Sequence, residues 1–145
     1  MPFVADFLSL MLFIKDSWLF PFIQSIHILG ITLVVGTIAI VDLHLLGVGI
    51  CRETISNDLA PWTAAGLLTV WVTGPLLFWS DWTRYTKNPA FLVKMAILAV
   101  ALLTHFTIHR RATHHRKIAA IVSLVLWSCV VLAGRAIADF DIRAL

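Results

Sequence analysis

The sequence contains four long apolar runs, and each run is long enough to cross a lipid bilayer as a helix. They cover residues 21–47, 62–78, 89–109 and 118–134. A membrane-spanning helix needs about 20 mainly apolar residues, since each residue adds about 1.5 Å to its length. The four runs take up most of the 145 residues. We therefore predict an all-α integral membrane protein.

The overall composition agrees with this class and excludes others. Of all residues 60% are hydrophobic and 13% are charged, whereas soluble domains carry roughly 25% charged residues. The stretches between the runs are too short to form a soluble catalytic or DNA-binding domain. The net charge of +3 therefore describes loops at a lipid surface, and we expect no nucleic-acid partner.

The spacing of the runs predicts a single transmembrane domain over residues 1–145, built as an up-down-up-down four-helix bundle. We expect its spans at about 18–48, 61–80, 89–110 and 117–138. Short connections favour antiparallel neighbours, so the first and third spans run in the same direction. Pro21 and Pro89 suit the first turns of two spans, and Asn88 is placed to cap the third span.

The N-terminal segment predicts a short helix at about residues 3–15 that lies in the membrane interface. Apolar residues recur along it at helical spacing, namely Phe3, Phe7, Leu10 and Ile14. Asp6 stands where a signal peptide carries positive charge, and no small-residue cleavage site follows the apolar run. We expect this helix to be retained, either in the interface or docked on a neighbouring helix.

Ionisable side chains inside the spans are candidates for a functional site, because burial in a membrane costs each of them several kcal/mol. His27 is six residues beyond Pro21, and Lys94 is five residues beyond Pro89. In parallel spans these counts place the two side chains within about 2 Å of the same depth. The same counts put three histidines near the opposite interface, namely His44, His105 and His109. The sequence therefore predicts two tiers of polar residues.

Buried histidines in a small bundle favour haem, because neutral imidazole ligates haem iron. We predict haem b with His27 as an axial ligand and either His105 or Lys94 as its partner. The His105 ring is the better ligand by chemistry, and Lys94 is the better placed by depth. His27 and His105 are the candidate metal ligands. A second haem could occupy the tier of His44, His105 and His109.

Further residues could complete such a site. Arg84 and Arg135 lie near the interface on the side of His27 and could bind haem propionates. Trp71 and Trp127 are bulky enough to line a cofactor pocket. Copper is the less favoured metal, because soft copper sites prefer sulfur ligands and the chain has three methionines.

Each of these residues also has a purely structural interpretation. His27 could be a packing residue that is hydrogen-bonded to a Ser, a Thr or a carbonyl. Lys94 could extend its long side chain to the interface. Asp42 could make an interhelical contact or orient His44, although residues two apart do not face each other on a helix.

Two segments resemble a known family of membrane proteins, the HemJ-type protoporphyrinogen oxidases. The resemblance rests on His27, Gly36 and the Asp42-Leu43-His44 ending of the first span, and on FLVKMAILAVALLTH at residues 91–105. In that family a third-span lysine is followed eleven residues later by a histidine, and Lys94 and His105 have this spacing. The first-span pattern is also similar to the CopD-type membrane domains of copper-resistance proteins.

The resemblance implies a four-helix protein that binds haem b, with His27 matching the essential first-span histidine and Lys94 the essential lysine. Where the family carries a Pro-Arg pair, this chain has Val41 and Asp42. An acid in place of a cation inverts the local electrostatics. We therefore expect a cytochrome-like electron-transfer subunit or a membrane anchor for a redox partner rather than a stand-alone enzyme. The alternatives are a HemJ-type oxidase and a non-haem structural or copper-handling subunit.

The partners expected of such a protein follow from its lack of a soluble domain. We expect a multi-pass protein of the bacterial inner membrane that exchanges electrons with a quinone or a redox protein. It would be part of a larger membrane complex or a homo-oligomer.

Overall fold

The computed structural model describes residues 2–48, 54–111 and 116–143 of the chain. Over these ranges the protein is helical and forms no strand. The helices are α1 (Pro2–Asp16), α2 (Leu19–Leu46), α3 (Ile55–Ser80), α4 (Trp82–Lys87), α5 (Pro89–Arg111) and α6 (Arg116–Arg143). The predicted all-α class is confirmed.

Four helices in the described ranges are long and apolar enough to cross a membrane. The qualifying segments are Leu19–Leu46, Ile55–Ser80, Pro89–Phe106 and Lys117–Ile137. These segments overlap the four apolar runs of the sequence. The apolar residues that favour insertion into a membrane also form continuous helices here. The prediction of four membrane-length helices is confirmed.

The second span and the connection after it differ from the sequence prediction. Helix α3 begins at Ile55, so that Pro61 lies inside the helix rather than at its start. The connection between the second and third spans, for which no helix was predicted, contains the short helix α4. Asp81 separates α3 from α4, since its non-helical backbone (φ −141°, ψ 47°) cannot continue a helix.

Helix α2 ends at a glycine that the geometry requires. Gly47 has φ +85°, a left-handed conformation in which a side chain would be strained. Its N–H donates to the carbonyl of His44 at 3.0 Å, and the N–H of Val48 donates to the carbonyl of Leu43 at 2.9 Å. This pair of bonds is a Schellman motif, which satisfies the last carbonyls of the helix.

The long helices pack in a defined order. Helix α2 packs against both α3 and α6, and α6 packs against α5. Over the described residues the backbones of α3 and α5 do not come into contact, and these two helices meet through the stacked rings of Phe78 and Phe91, 5.5 Å apart. The buried core lies between α2, α5 and α6 and consists of Val34, Ile38, Ala101, Trp127 and Val130. The side between α3 and α5 is therefore the open side of the structure.

Helix α1 docks against the end of α3. Met11 and Ile14 are buried, and the ring of Phe7 meets the edge of Trp79 with centroids 6.4 Å apart. Lys15 Nζ lies 2.9 Å from Asp81 Oδ1. The sequence predicted that Leu10 would share the apolar face of Phe7 and Ile14. In the structure Leu10 is 52% exposed, so the docked face is rotated by part of a turn from the predicted face.

Asn88 caps α5 as predicted and also ties α5 to α6. Its Oδ1 accepts a hydrogen bond from the N–H of Ala90 at 3.0 Å, and its Nδ2 donates to the carbonyl of Ile137 at 3.1 Å. Pro89 takes the first position of α5, where its missing N–H has no cost. The predicted cap is confirmed.

The Asn88→Ala variant is expected to lower the free energy of unfolding by about 1–2 kcal/mol, since it removes a helix cap and a buried interhelical bond. The measurement is reversible unfolding in mixed micelles, followed by circular dichroism. Asn57→Ala is the matched control, because Asn57 is exposed. Equal stability of the two variants would contradict the role of Asn88.

Candidate functional site

His27 is held between α2 and α3 by a hydrogen bond to a threonine. Its Nδ1 lies 2.7 Å from Oγ1 of Thr73. The hydroxyl of Thr73 also lies 2.6 Å from the carbonyl oxygen of Thr69. A carbonyl can only accept, so the single hydroxyl hydrogen is directed to Thr69. The hydrogen-bond network therefore assigns the proton of His27 to Nδ1, and leaves Nε2 with a lone pair.

The Cε1 edge of the His27 ring, between its two nitrogens, is bordered by a glycine of α3. A Cβ atom added to Gly74 would lie 3.5 Å from Cε1 of His27, which is an ordinary van der Waals distance. Gly74 thus leaves open the space that a larger side chain would occupy. This opening is on α3, the helix that borders the open side of the structure.

Lys94 lies on α5 and its side chain runs over a glycine of α6. A Cβ atom added to Gly134 would lie 3.6 Å from Cε and Nζ of Lys94. Lys94 is half-buried, and its charge is close enough to act electrostatically on the ring of His27. The structure therefore brings His27 and Lys94 into one region.

Of the two predicted arginines, Arg84 lies on the short helix α4 and Arg135 lies on α6. Arg84 is exposed, its Nη1 lies 4.0 Å from Asp81 Oδ2, and its guanidinium lies 5.9 Å from the centre of the Tyr85 ring. Arg135 is exposed on α6. It follows Gly134, the glycine that lies against the side chain of Lys94. Both arginines are thus exposed residues.

His105 belongs to a different region, between α2, α5 and α6. It lines a small cavity together with Asp42, Leu45, Thr104, Ala119, Ala120 and Ser123. Asp42 is 2% exposed, and it lies fifteen residues, about 22 Å along the axis, beyond His27 on α2. Metal–nitrogen bonds are about 2 Å long. His27 and His105 of one chain therefore cannot ligate the same iron, contrary to one of the two pairings expected from sequence.

The remaining candidates have the following positions. His44 is half-buried in the last turn of α2 and does not line the cavity. The side chain of His109 lies outside the described residues. Trp71 is 81% exposed and Trp127 is 5% exposed, so Trp127 alone of the two tryptophans is part of the buried core. In the described part of the chain, no group of three or more His, Cys, Asp or Glu side chains could hold a metal ion.

Neither Thr73 nor the neighbour of Asp42 in the structure was identified from the sequence. Thr73 lies in the second span, whose apolar run drew no attention. Thr73 is seven residues before the end of α3, and His27 is eight residues after the start of α2. If the end of α3 and the start of α2 lie at the same membrane face, these counts place the two side chains at similar depth. For Asp42 the sequence suggests an interhelical contact or an interaction with His44, but it does not identify His105 as its neighbour.

Comparison of the chain with protein-family models, with curated proteins and with solved structures gave no match.

Proposed function

We propose that the protein is a small integral membrane haem b protein that acts as an electron-transfer subunit or as the membrane anchor of a redox partner. The single observation that carries this proposal is the hydrogen bond from His27 Nδ1 to Thr73. Metal-ligating histidines nearly always donate their second ring N–H to a fixed acceptor, which sets the tautomer and the ring orientation. A packing histidine makes the same contact, so the lone pair that this hydrogen bond leaves on Nε2 is the second support.

The membrane arrangement is part of the proposal. Four membrane-length helices with short connections favour an up-down-up-down bundle in a bacterial inner membrane. Helix α1 would lie in the interface, because Leu10, Leu12 and Phe13 are exposed while its opposite face docks on α3. The Lys15–Asp81 ion pair would hold it there.

The residues of the His27 region fit a haem in their chemistry. His27 would provide Nε2 as an axial ligand, and Lys94 would provide either the second ligand or a charge partner for a propionate. Arg84 and Arg135 are accessible for the other propionate. Haem in such a site supplies one-electron chemistry. Thr73 orients the imidazole, and Gly74 leaves the ring accessible from the open side between α3 and α5.

The second axial ligand need not come from the same chain. Within the described residues no other histidine lies level with His27, since His105 is on the far side of the bundle. A second protomer packed against the open side would bring its own His27 towards the first. The proposal therefore includes a homo-oligomer, or a larger complex whose partner is a redox protein or a quinone.

The test is the reduced-minus-oxidised optical spectrum of the purified protein and of three variants. We expect a b-type spectrum for the wild type, its loss in His27→Ala, a changed spectrum in Lys94→Ala and an unchanged one in His105→Ala. A wild-type protein without a Soret band, purified from haem-replete cells, would assign the His27–Thr73 contact to helix packing and favour the non-haem or copper-handling alternative.

A matched pair of variants at Gly74 tests access to the ring. Gly74→Ala should keep the spectrum, because a Cβ there meets Cε1 of His27 at an ordinary 3.5 Å. Gly74→Leu is expected to lower the bound haem at least about tenfold by covering Nε2, in the range of other changes around a metal ligand. Equal haem content in the two variants would show that the ligand does not approach from this side.

A second candidate is the HemJ-type oxidation of protoporphyrinogen. It is favoured by one observation, the nearness of Lys94 to His27, which are the two residues that the family resemblance singles out. Deletion of the gene should then lead to accumulated protoporphyrinogen or coproporphyrin. Normal porphyrin levels in the deletion strain would leave electron transfer as the proposal.

A further inference from the structure

The cavity beside Asp42 is separate from the His27 region and needs its own explanation. It is enclosed by α2, α5 and α6, and four of its lining residues are polar, namely Asp42, Thr104, His105 and Ser123. Polar side chains inside a membrane span normally face one another or a hydrated space. The cavity is therefore not a simple packing defect of an apolar core.

The size of the cavity suits one small polar molecule. Its volume is about 20 Å³, whereas a single water needs roughly 10–15 Å³ by the same measure and two to four polar partners. The two hydroxyls, the carboxylate and the imidazole of the lining provide up to four such partners. A haem or an organic substrate is too large for this space.

Trp127 supplies a second, independent observation. Its side chain is 5% exposed, and its indole N–H has no hydrogen-bond acceptor among the described residues. Buried indole N–H groups usually find a partner, and a buried donor without one calls for an explanation such as a bound water.

The helix geometry directs Trp127 towards the cavity. The core residues Ile38 and Ala101 are each four positions, one helical turn, before the cavity residues Asp42 and His105. On α6 the order is reversed, since Ser123 precedes Trp127 by four positions. Side chains lean towards the N-terminus of their own helix. The side chain of Trp127 therefore leans towards the turn of α6 that contains Ser123, a cavity residue. The side chains of Asp42 and His105 lean towards the turns of α2 and α5 that contain the core residues Ile38 and Ala101.

We propose that this cavity is a binding site for one water molecule, which accepts the indole N–H of Trp127 and links Asp42 with His105. The site is independent of haem and of the proposed function. A water held between a carboxylate and an imidazole connects the two groups by hydrogen bonds inside the membrane, as in the proton pathways of other membrane proteins. The charged residues Lys117 on α6 and Asp58 on α3 are exposed and do not line the cavity.

The test is nuclear magnetic resonance of the full chain in lipid nanodiscs, with ¹⁵N in the indole rings of its six tryptophans. Trp127→Phe and Trp71→Phe assign two signals by their loss. We expect the indole proton of buried Trp127 to show cross-relaxation with water. Trp71 is 81% exposed but faces outward from the middle of α3, so its indole proton should show none in a lipid bilayer.

Two variants locate the water in the cavity. Ser123→Val fills the space and removes a hydroxyl, so the contact between Trp127 and water should be lost. Ser25→Val removes an exposed serine that bonds within α2, and should leave the contact unchanged. A wild-type Trp127 without water contact would overturn the proposal, whether or not Ser123→Val folds. Retention of the contact in folded Ser123→Val would also overturn it.

Discussion

Replacement of Gly66 by leucine is expected to separate α2 from α3 and to lower the free energy of unfolding by about 1–3 kcal/mol or more. A Cβ atom at Gly66 would lie 2.8 Å from Cγ2 of Val34, 3.0 Å from the carbonyl oxygen of Gly30 and 3.1 Å from the backbone nitrogen of Val34. A side chain can rotate away, but the two backbone atoms cannot move without displacing α2. Small residues at such crossings let membrane helices approach closely.

The matched control for this prediction is Gly36→Leu. A Cβ atom at Gly36 meets nothing within 4 Å, so leucine there is expected to be tolerated and to favour the helix. Unfolding in mixed micelles measures both variants. The close crossing at Gly66 would be refuted if the two leucines had equal effects. The structure assigns the close packing of α2 and α3 to Gly30 and Gly66.

Replacement of Thr73 by valine is expected to weaken cofactor binding at His27 by about 10–100-fold, the range found when a residue that orients a metal ligand is removed. Valine keeps the volume of threonine but cannot accept the hydrogen bond from Nδ1. The imidazole then loses the contact that fixes its tautomer and orientation. Titration of the purified protein with haem, followed by its optical spectrum, measures the affinity. The same spectrum should broaden or shift, which a purely structural role would not cause.

Two further variants separate this effect from a loss of stability. Thr73→Ser keeps the hydroxyl and should restore most of the affinity. Thr32→Val removes a hydroxyl that bonds only to the carbonyl of Ile28 in its own helix and should bind haem as the wild type does. If Thr73→Val bound haem normally, His27 would be a packing residue and the proposed site would be incorrect.

The two polar regions have different surroundings, which suggests different tasks. His27 lies near Lys94 and the open side between α3 and α5, where a large planar ligand or a second protomer could approach. Asp42 and His105 lie between α2, α5 and α6, around a cavity that suits a single water. The two regions are about 22 Å apart along α2, so variants in one should leave the measurements on the other unchanged.

Several features could be predicted from sequence because they depend on local chemistry. Apolar runs of sufficient length indicate membrane helices wherever the neighbours lie. Asn88 before Pro89 indicates a helix start, because the asparagine side chain reaches the N–H of Ala90 two residues on. The match in depth between His27 and Lys94 follows from counting residues along two helices.

The partners of these residues could not be predicted in the same way. Depth along an axis says nothing about the direction in which a side chain leaves its helix. His27 meets Thr73 because α2 and α3 cross closely at Gly30 and Gly66, and this crossing sets their rotation. Asp42 shares a cavity with His105 rather than with His44, since α2 and α5 both pack against α6.

The sequence by itself determined that the chain is helical, that four of its helices can cross a membrane, and that a few ionisable side chains lie within them. Those properties come from length, composition and local capping, which act on each segment separately. The tertiary structure alone decided which side chains meet: His27 with Thr73, Asp42 with His105 around a water-sized cavity, and α1 with the end of α3. The reason is physical. In an apolar segment almost every face is compatible with lipid, so hydrophobicity does not fix the rotation of a helix, and only close packing between helices does.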